Sequence, residues 1–413
     1  MNTHINTYLE HVSEKSISIF FSGIAPQKSN DQSYPFHVNR NFYYFANINQ
    51  ADSILVLVKG ANESKCYLFI EKRSPERILW DGDTLSFEHA QTLSGVDEVK
   101  DRTSFDAFIA TILSSNRANI FGELNCLYMD FETKPLGSLL DWVTSYAASI
   151  QKNYPFLNIK NNHLLCARLR TTKDETEFKH IQKAVDISKE AFHHLMKKAK
   201  DVQTEHALEA EYNYILNQNQ VTPSFDTIVA SGVNATVLHY TSNNDEIKDD
   251  QLILVDAGVS FECYCSDITR TFPKSGKFSP RQKELYELVL KANEETIRWI
   301  KPGITLKDFN AYGKNILTEG LKKMGMITTD EEVMKYYYHS LGHSLGLDVH
   351  DIADYSKPIE AGHILTVEPG LYIKEEGIGI RIEDDILVTN DGCINLSKDI
   401  IKSVKDIEDF MNS

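Results

Sequence analysis

The sequence has little of what marks several common protein classes. Its six cysteines, at 66, 126, 166, 263, 265 and 393, form no CxxC pair and no spaced framework, which argues against a zinc knuckle and a disulfide-stapled scaffold. They read as buried thiols, Cys265 beside its aromatic included. No apolar run approaches the roughly 20 residues that a bilayer span needs; the longest resemble ILVLV at 54–58. The opening MNTHINTYLEHVSEK is polar and acidic instead of basic and then apolar, so no secretory signal is expected there. Basic charge is in deficit: 43 Lys and Arg against 59 Asp and Glu leave −16, which repels a polyanionic backbone and argues against nucleic acid as a partner. The expectation is a soluble, cytoplasmic chain with no membrane partner. Low-complexity segments, Pro-rich linkers and short repeats are also missing, so a domain boundary must show as a change of pattern.

At 413 residues the chain exceeds a single core and suggests two or three units. From about 50 to 160, β-rich runs (SILVLVKG, KCYLFIEKR, ANIFGEL) alternate with longer mixed stretches (FDAFIATILSS, GSLLDWVTSYAAS), as in an α/β domain. Near 160 the pattern changes. In LRTTKDETEFKHIQKAVDISKEAFHHLMKKAK, 169–200, residues Phe178, Ile181, Ala184, Val185, Ile187, Ala191, Phe192 and Leu195 follow a 3.6-residue repeat, predicting one long amphipathic helix that opens a second domain. The division expected is 1–160 and 161–413. His193 and His194 on that helix have no carboxylate signature nearby and read as surface or packing residues.

The second domain holds four carboxylates in strand-like contexts. Asp256 follows the apolar LILV, and Asp267 begins the β-rich DITRTF. A hairpin centred between Phe261 and Glu262 sets the two aspartates opposite each other, although Phe-Glu is poor turn chemistry. Glu368 stands before Pro369-Gly370 in HILTVEPGLYI, where a strand ends. In GIGIRIEDDILV, Ile378, Ile380 and Ile382 alternate with Gly379, Arg381 and Glu383, so Arg381 and Glu383 point the same way. Buried unpaired, such carboxylates cost on the order of several kcal/mol each, and Arg381 alone stands out as a counter-charge. A metal pair satisfies them better than four independent strand ends facing water.

HSLGHSLGLDVHD, 339–351, places His339, His343 and His350 at spacings of four and seven. The first spacing suggests an HExxH-like helical site. Gly342 and Gly346 disfavour a helix, no Glu follows His339, and the carboxylates lie in distant strands. Oxygen-rich ligands with one imidazole suit Mn²⁺, Co²⁺, Fe²⁺ or Zn²⁺ better than a thiolate structural zinc site, and two such ions near each other are the equipment of a hydrolase.

Asp256, Asp267, His343, Glu368 and Glu383, in that order and in the contexts VDAG, SDITRTFP, GHSLGLDVHD, TVEPGLY and RIEDD, resemble the five ligands of the pita-bread dinuclear metallopeptidases. Within that group the chain is most similar to the proline-specific branch, aminopeptidase P and prolidase. VASGVNATVLHYTSNN at 229–244 adds a matching block, and SYPFHVNRNFYYFANINQADSILVLV at 33–58 resembles the creatinase-type N-terminal domain of aminopeptidase P. The resemblance implies an α+β chain: an α/β N-terminal domain, then a pita-bread catalytic domain of two related halves with a curved antiparallel sheet. It implies hydrolysis of the bond between an N-terminal residue and a following proline through a metal-bridging hydroxide, with peptides carrying proline second as substrates and a homo-oligomeric assembly.

By the same resemblance Asp256 chelates one metal, Asp267 and Glu383 bridge both, and His343 and Glu368 complete the other shell. Two divalent ions are implied, Mn²⁺ first, with Co²⁺, Fe²⁺ or Zn²⁺ as alternatives. Glu368 matches a proton shuttle, and His239 and His350 match two non-ligand histidines that bind substrate and stabilise the tetrahedral intermediate. His339 matches a pocket histidine, and Arg381 an arginine that orients a metal-bound carboxylate. Phe225 stands where relatives often carry tyrosine, and Trp80 is a candidate for either a subunit contact or the core. Two rivals remain: a prolidase restricted to dipeptides, and a metal-free binding module that the intact ligand set disfavours.

Overall fold

The computed structural model describes residues 2–114, 120–132 and 141–413. The chain falls into two compact units, Met1–Leu169 and Arg170–Ser413.

The first unit is built on a six-stranded mixed sheet ordered Glu98–Asp101, Ser64–Ile70, Ile54–Lys59, Ser16–Phe21, Cys126–Met129, Asn158–Asn161. Ile54–Lys59 and Ser16–Phe21 are central and buried on both faces, so ILVLV runs apolar without alternation, while the buried Ser16 and Ser18 of SISIFF are satisfied by Ser13 O and the Tyr8 hydroxyl. Helices Phe105–Ile112 and Trp142–Asn153 contribute Phe105, Ile109, Ala147 and Ile150 to one core with Ile17, Val56 and Phe69. The α/β reading of this region holds. One strand is displaced: residues 120–124 of ANIFGEL are not strand, and the strand begins at Cys126. Residues 118–119 of that run, 115 of FDAFIATILSS and 137–140 of GSLLDWVTSYAAS lie outside the described residues. Trp80 is exposed on helix Pro75–Asp81, none of whose residues is buried, so its core alternative is excluded.

The helix expected over 169–200 is two helices, His163–Thr171, within which the first unit ends at Leu169, and Glu175–Lys198 of the second unit. The break has a local cause. Asp174 caps the second helix and Glu177 closes a capping box, a stronger start signal than the continuing apolar period. The apolar stripe of Glu175–Lys198 is buried as predicted, from Ile181 to Leu195. His194 does have an acidic partner, Glu211 at 2.6 Å from the neighbouring helix Glu205–Gln218, while His193 packs on Phe410.

Three small antiparallel sheets carry the remaining strands that matter here. Leu252–Ala257 lies between Ile228–Ser231 and Ile268–Pro273. Asp384–Val388 lies between Ile364–Val367 and Cys393–Asn395, and Gly370–Ile373 pairs with Ile378–Arg381. Glu383 N donates to Thr269 O at 3.0 Å and Thr271 Oγ1 to Arg381 O at 3.0 Å, so the first sheet is stitched to the segment 381–383. Helices Glu175–Lys198, Glu205–Gln218 and Pro280–Trp299 close one core over these sheets.

The hairpin turns one residue later than predicted, at Glu262–Cys263, with Phe261 opposite Tyr264. Both turn residues have positive φ, 48° and 63°, the geometry of a tight two-residue turn that usually selects Asn-Gly. The shift moves the pairing by two: Asp256 lies opposite Thr269 instead of Asp267. Because the displacement is even, both aspartates keep the same face.

Candidate metal centre

Four segments converge. Asp256 is the penultimate residue of one strand, Asp267 precedes another, and Glu368 and Glu383 each occupy a break between strands of different sheets. At such breaks a side chain leaves the pleat, which lets carboxylates from separate sheets meet. The segment of His343 is extended, not helical: Thr366 N donates to His343 O at 3.0 Å, Glu368 N to Leu341 O at 2.8 Å and Leu345 N to Ile364 O at 3.0 Å. A Cβ on Gly342 would stand 2.0 Å from Thr366 O, so glycine permits this approach.

His343 Nδ1 donates to Ser344 O at 3.1 Å and leaves Nε2 facing the carboxylates, 3.3 Å from Asp267 Oδ2 and 3.5 Å from Glu368 Oε1. Ligand atoms of Asp267, His343 and Glu383 all lie within 4.8 Å of one another. Arg381 ties in the rest. Its Nη2 donates to Asp256 Oδ2 at 2.7 Å, its Nη1 to Tyr372 Oη at 3.0 Å, and its Nε to Thr269 Oγ1 at 3.0 Å, whose own hydroxyl donates to Glu383 Oε2 at 2.7 Å.

Charge shows what this cluster is built for. Asp385, buried, accepts from Asp267 N at 3.1 Å and joins the four predicted acids. With every acid ionised and His343 neutral, as ligands must be, five carboxylates against one guanidinium leave −4, which two dications would neutralise. Burial pushes the Glu368 carboxyl up to about 7 and the Asp267 carboxyl up to about 6, and burial with repulsion from Asp267 drives Glu383 well above the usual range. Burial works against charge on His343 too, yet its bond to Asp267 and the acids around it hold it up at about 9. Asp256 Oδ1 and Asp385 Oδ1 are buried with no hydrogen-bond partner, lone pairs that await a ligand. Oxygen donors, one imidazole nitrogen and unspent lone pairs fit divalent ions.

The other predicted residues surround this centre. His350 stacks on His343 with ring centroids 3.8 Å apart, and burial and the His343 charge push it down to about 4. His239 is near enough that its charge helps lower both His339 and His350. His339 has both nitrogens engaged: Nδ1 on Ser340 O at 2.7 Å and Nε2 on Tyr372 Oη at 2.8 Å, with burial first and Arg381 next pushing it down to about 4. Cys265 is a core thiol facing Leu347 O, as expected.

Sequence reasoning missed several contributors. Thr269 and Asp385 stand two residues from Asp267 and Glu383, so strand alternation was available to find them. Arg270 was passed over in SDITRTFP; fully buried, it meets Asp384 at 2.7 Å and donates to Glu383 O, and Lys402 completes the Asp384 pair. Arg170 and Lys173 converge on Asp351, just beyond His350, with Asp348 completing the cluster. A Cβ on Gly346 would collide with Asp351 Oδ2 at 2.3 Å, so this buried ion cluster also explains a glycine of the histidine loop.

Comparison with known proteins agrees with this architecture. The profile of metallopeptidase family M24 matches residues 179–390, and that of the aminopeptidase P N-terminal domain matches residues 2–121. A Haemophilus influenzae Xaa-Pro aminopeptidase is 34% identical over 96% of this chain and 93% of its own. Among solved structures, a Bacillus anthracis protein provisionally assigned as an aminopeptidase P superposes with a TM-score of 0.95 at 41% identity, covering 99% of this chain and 97% of that one. Escherichia coli aminopeptidase P with the inhibitor Pro-Leu gives a TM-score of 0.89 at 30% identity, again over 99% and 97%. The chain belongs to metallopeptidase family M24, among the members that carry an aminopeptidase P N-terminal domain, and has their α+β pita-bread fold.

Proposed function

We propose that this chain is a metal-dependent Xaa-Pro aminopeptidase, hydrolysing the bond between an N-terminal residue and a following proline. The observation that carries the reading is the gathering of buried acids around the His343 imidazole, with the Arg381 guanidinium on Asp256, in a chain whose full-length relatives are Xaa-Pro aminopeptidases. Asp256, Asp267, His343, Glu368 and Glu383 would hold two divalent ions, Mn²⁺ in the first instance and Co²⁺, Fe²⁺ or Zn²⁺ as alternatives. Bound there, the ions supply an acidified water and a Lewis acid for the scissile carbonyl.

The chain's own groups do the rest. Ser344 O fixes the His343 tautomer, and Arg381 orients Asp256 directly and Glu383 through Thr269. Glu368, beside the His343 imidazole at 3.5 Å, is placed to take a proton and pass it to the departing proline nitrogen. His350 offers a ring N–H to the carbonyl oxygen as charge develops on it, and His239 binds the substrate. His339 lines the pocket as a wall, its nitrogens held by Ser340 and Tyr372. The proline amide has no N–H, so its recognition rests on ring shape.

The same proposal makes 1–160 the N-terminal domain and 161–413 the catalytic domain of a cytoplasmic homo-oligomer, with the exposed Leu79 and Trp80 at a subunit contact. Among the described residues no helix is long and apolar enough to cross a membrane. The test is a rate comparison on Ala-Pro and Ala-Pro-Ala with Mn²⁺, Co²⁺ and Zn²⁺ added to metal-free protein. Cleavage of both peptides with Mn²⁺ fastest supports the reading. Cleavage of Ala-Pro alone makes the chain a prolidase, and no dependence on metal refutes the site.

A further inference from the structure

Helix Glu205–Gln218 begins with a carboxylate that is fully buried and remote from the metal-binding acids in sequence. Glu205 Oε1 accepts from Ser231 N at 2.7 Å, Ser231 Oγ at 2.8 Å and Asn234 Nδ2 at 3.1 Å. Its Oε2 accepts from Tyr240 Oη at 2.8 Å and Asp245 N at 3.1 Å. All five donors are neutral, and all belong to the segment 231–245. A charge held in this way is satisfied by dipoles, with the positive end of its own helix adding to them.

Each oxygen faces a backbone N–H, Oε1 that of Ser231 and Oε2 that of Asp245, so an amide in the same place would turn its NH₂ toward one of them. One turn along the helix, Glu209 accepts from Asn243, whose amide also bonds Val229 N and Thr227 O. The segment so held carries His239, next to Tyr240. His239 is exposed, and its neighbours reach the candidate centre: Thr236 O accepts from Tyr338 Oη at 3.0 Å, and Leu238 and Tyr240 pack on the cluster of Tyr372, whose hydroxyl meets Arg381 and His339.

We infer that Glu205 is a positioning residue for the reaction: it gathers the loop 231–245 onto the start of its helix and thereby aims His239 at the substrate. The inference rests on the substrate-binding role proposed for His239. It gives a reason for a buried acid at the start of this helix, against a loop whose Val233 and Val237 are exposed.

The experiment is a double-mutant cycle on Mn²⁺-loaded full-length protein with Ala-Pro-Ala, joining Glu205→Gln to His239→Ala. Glu205→Gln is expected to lower kcat/KM about tenfold, in line with one lost charge-assisted hydrogen bond, with metal content unchanged. In the His239→Ala background the same change is expected to cost less than about twofold, because the residue it acts through is gone. An equal fractional loss in both backgrounds, or loss of metal, overturns the inference and makes Glu205 a purely structural acid. If His239→Ala alone leaves kcat/KM unchanged, the role of His239 fails and the inference with it, a result distinct from additivity. Should Glu205→Gln fail to fold, Tyr240→Phe goes through the same cycle; it removes one donor, with a drop of about two- to threefold expected only while His239 is present.

Discussion

Asp351→Asn tests whether the ion cluster behind the histidine loop is what holds that loop. The side chains of Arg170, Lys173 and Asp351 are 2%, 1% and 1% exposed, whereas that of Asp348, which also meets Arg170, is 40% exposed. Two cations and two acids balance. Neutralising Asp351 leaves Arg170 with a half-hydrated partner and strips Lys173 of its carboxylate, since Asp351 is the acid it pairs with among the described residues. Breaking a buried pair in this way costs about 3–5 kcal/mol, a large part of the roughly 5–15 kcal/mol that a domain commands. Asp348→Asn, at a solvated position, should cost no more than about 1 kcal/mol. Urea unfolding of the two variants followed by circular dichroism gives the comparison. The pH dependence has a definite sign: Lys173 and Arg170 outweigh burial and hold the Asp351 carboxyl below its usual range. Its contribution is therefore present above the unfolded value near 4 and fades as the pH falls below that, where wild type and Asp351→Asn should converge. Equal losses for the two variants, or a gap unchanged at low pH, would refute the reasoning.

Three further outcomes are expected. Glu368→Ala should abolish turnover of Ala-Pro-Ala at saturating Mn²⁺, and substantial residual activity would remove Glu368 from the reacting centre. His350→Ala should keep its metal content by mass spectrometry while slowing the reaction; loss of metal would mean that the roles of His343 and His350 are misassigned. Metal-free protein should melt at higher temperature as the pH is lowered from about 9 to about 7. The His343 imidazole binds its proton more tightly when folded, at about 9, so falling pH charges it beside the acids, above the range near 6.5 and below in which His339 and His350, held down at about 4, act in the opposite direction. Added Mn²⁺ must displace that proton, so its stabilisation should shrink over the same interval, and a gain that stays constant would count against this ligand.

Much of this was local enough to read from the chain. Alternation in GIGIRIEDD put Arg381 and Glu383 on one side, and both reach the same cluster, Arg381 meeting Asp256 directly and Glu383 through Thr269. The glycines of HSLGHSLG argued against a helix, and the close approaches of Gly342 to Thr366 and of Gly346 to Asp351 supply the physical reason. The long helix failed at Thr172–Asp174 because a three-residue capping signal outcompetes an apolar period that runs through it. The hairpin register failed by two because Glu262–Cys263 adopts left-handed turn geometry that neither residue advertises.

The order and type of the five acid and imidazole positions, the covalent neighbours that set their faces and the apolar stripes that bury them are properties of the chain alone, because each depends on a period of two or 3.6 residues. Which carboxylate meets which partner was decided by the fold. Asp256 and Arg381 are 125 residues apart, and Arg170 and Asp351 are 181 apart. The stranded lone pairs of Asp256 and Asp385, the locked nitrogens of His339 and the five donors on Glu205 exist only once distant segments have excluded water around them. Local periodicity says which way a side chain points; only the packed structure says what it finds there.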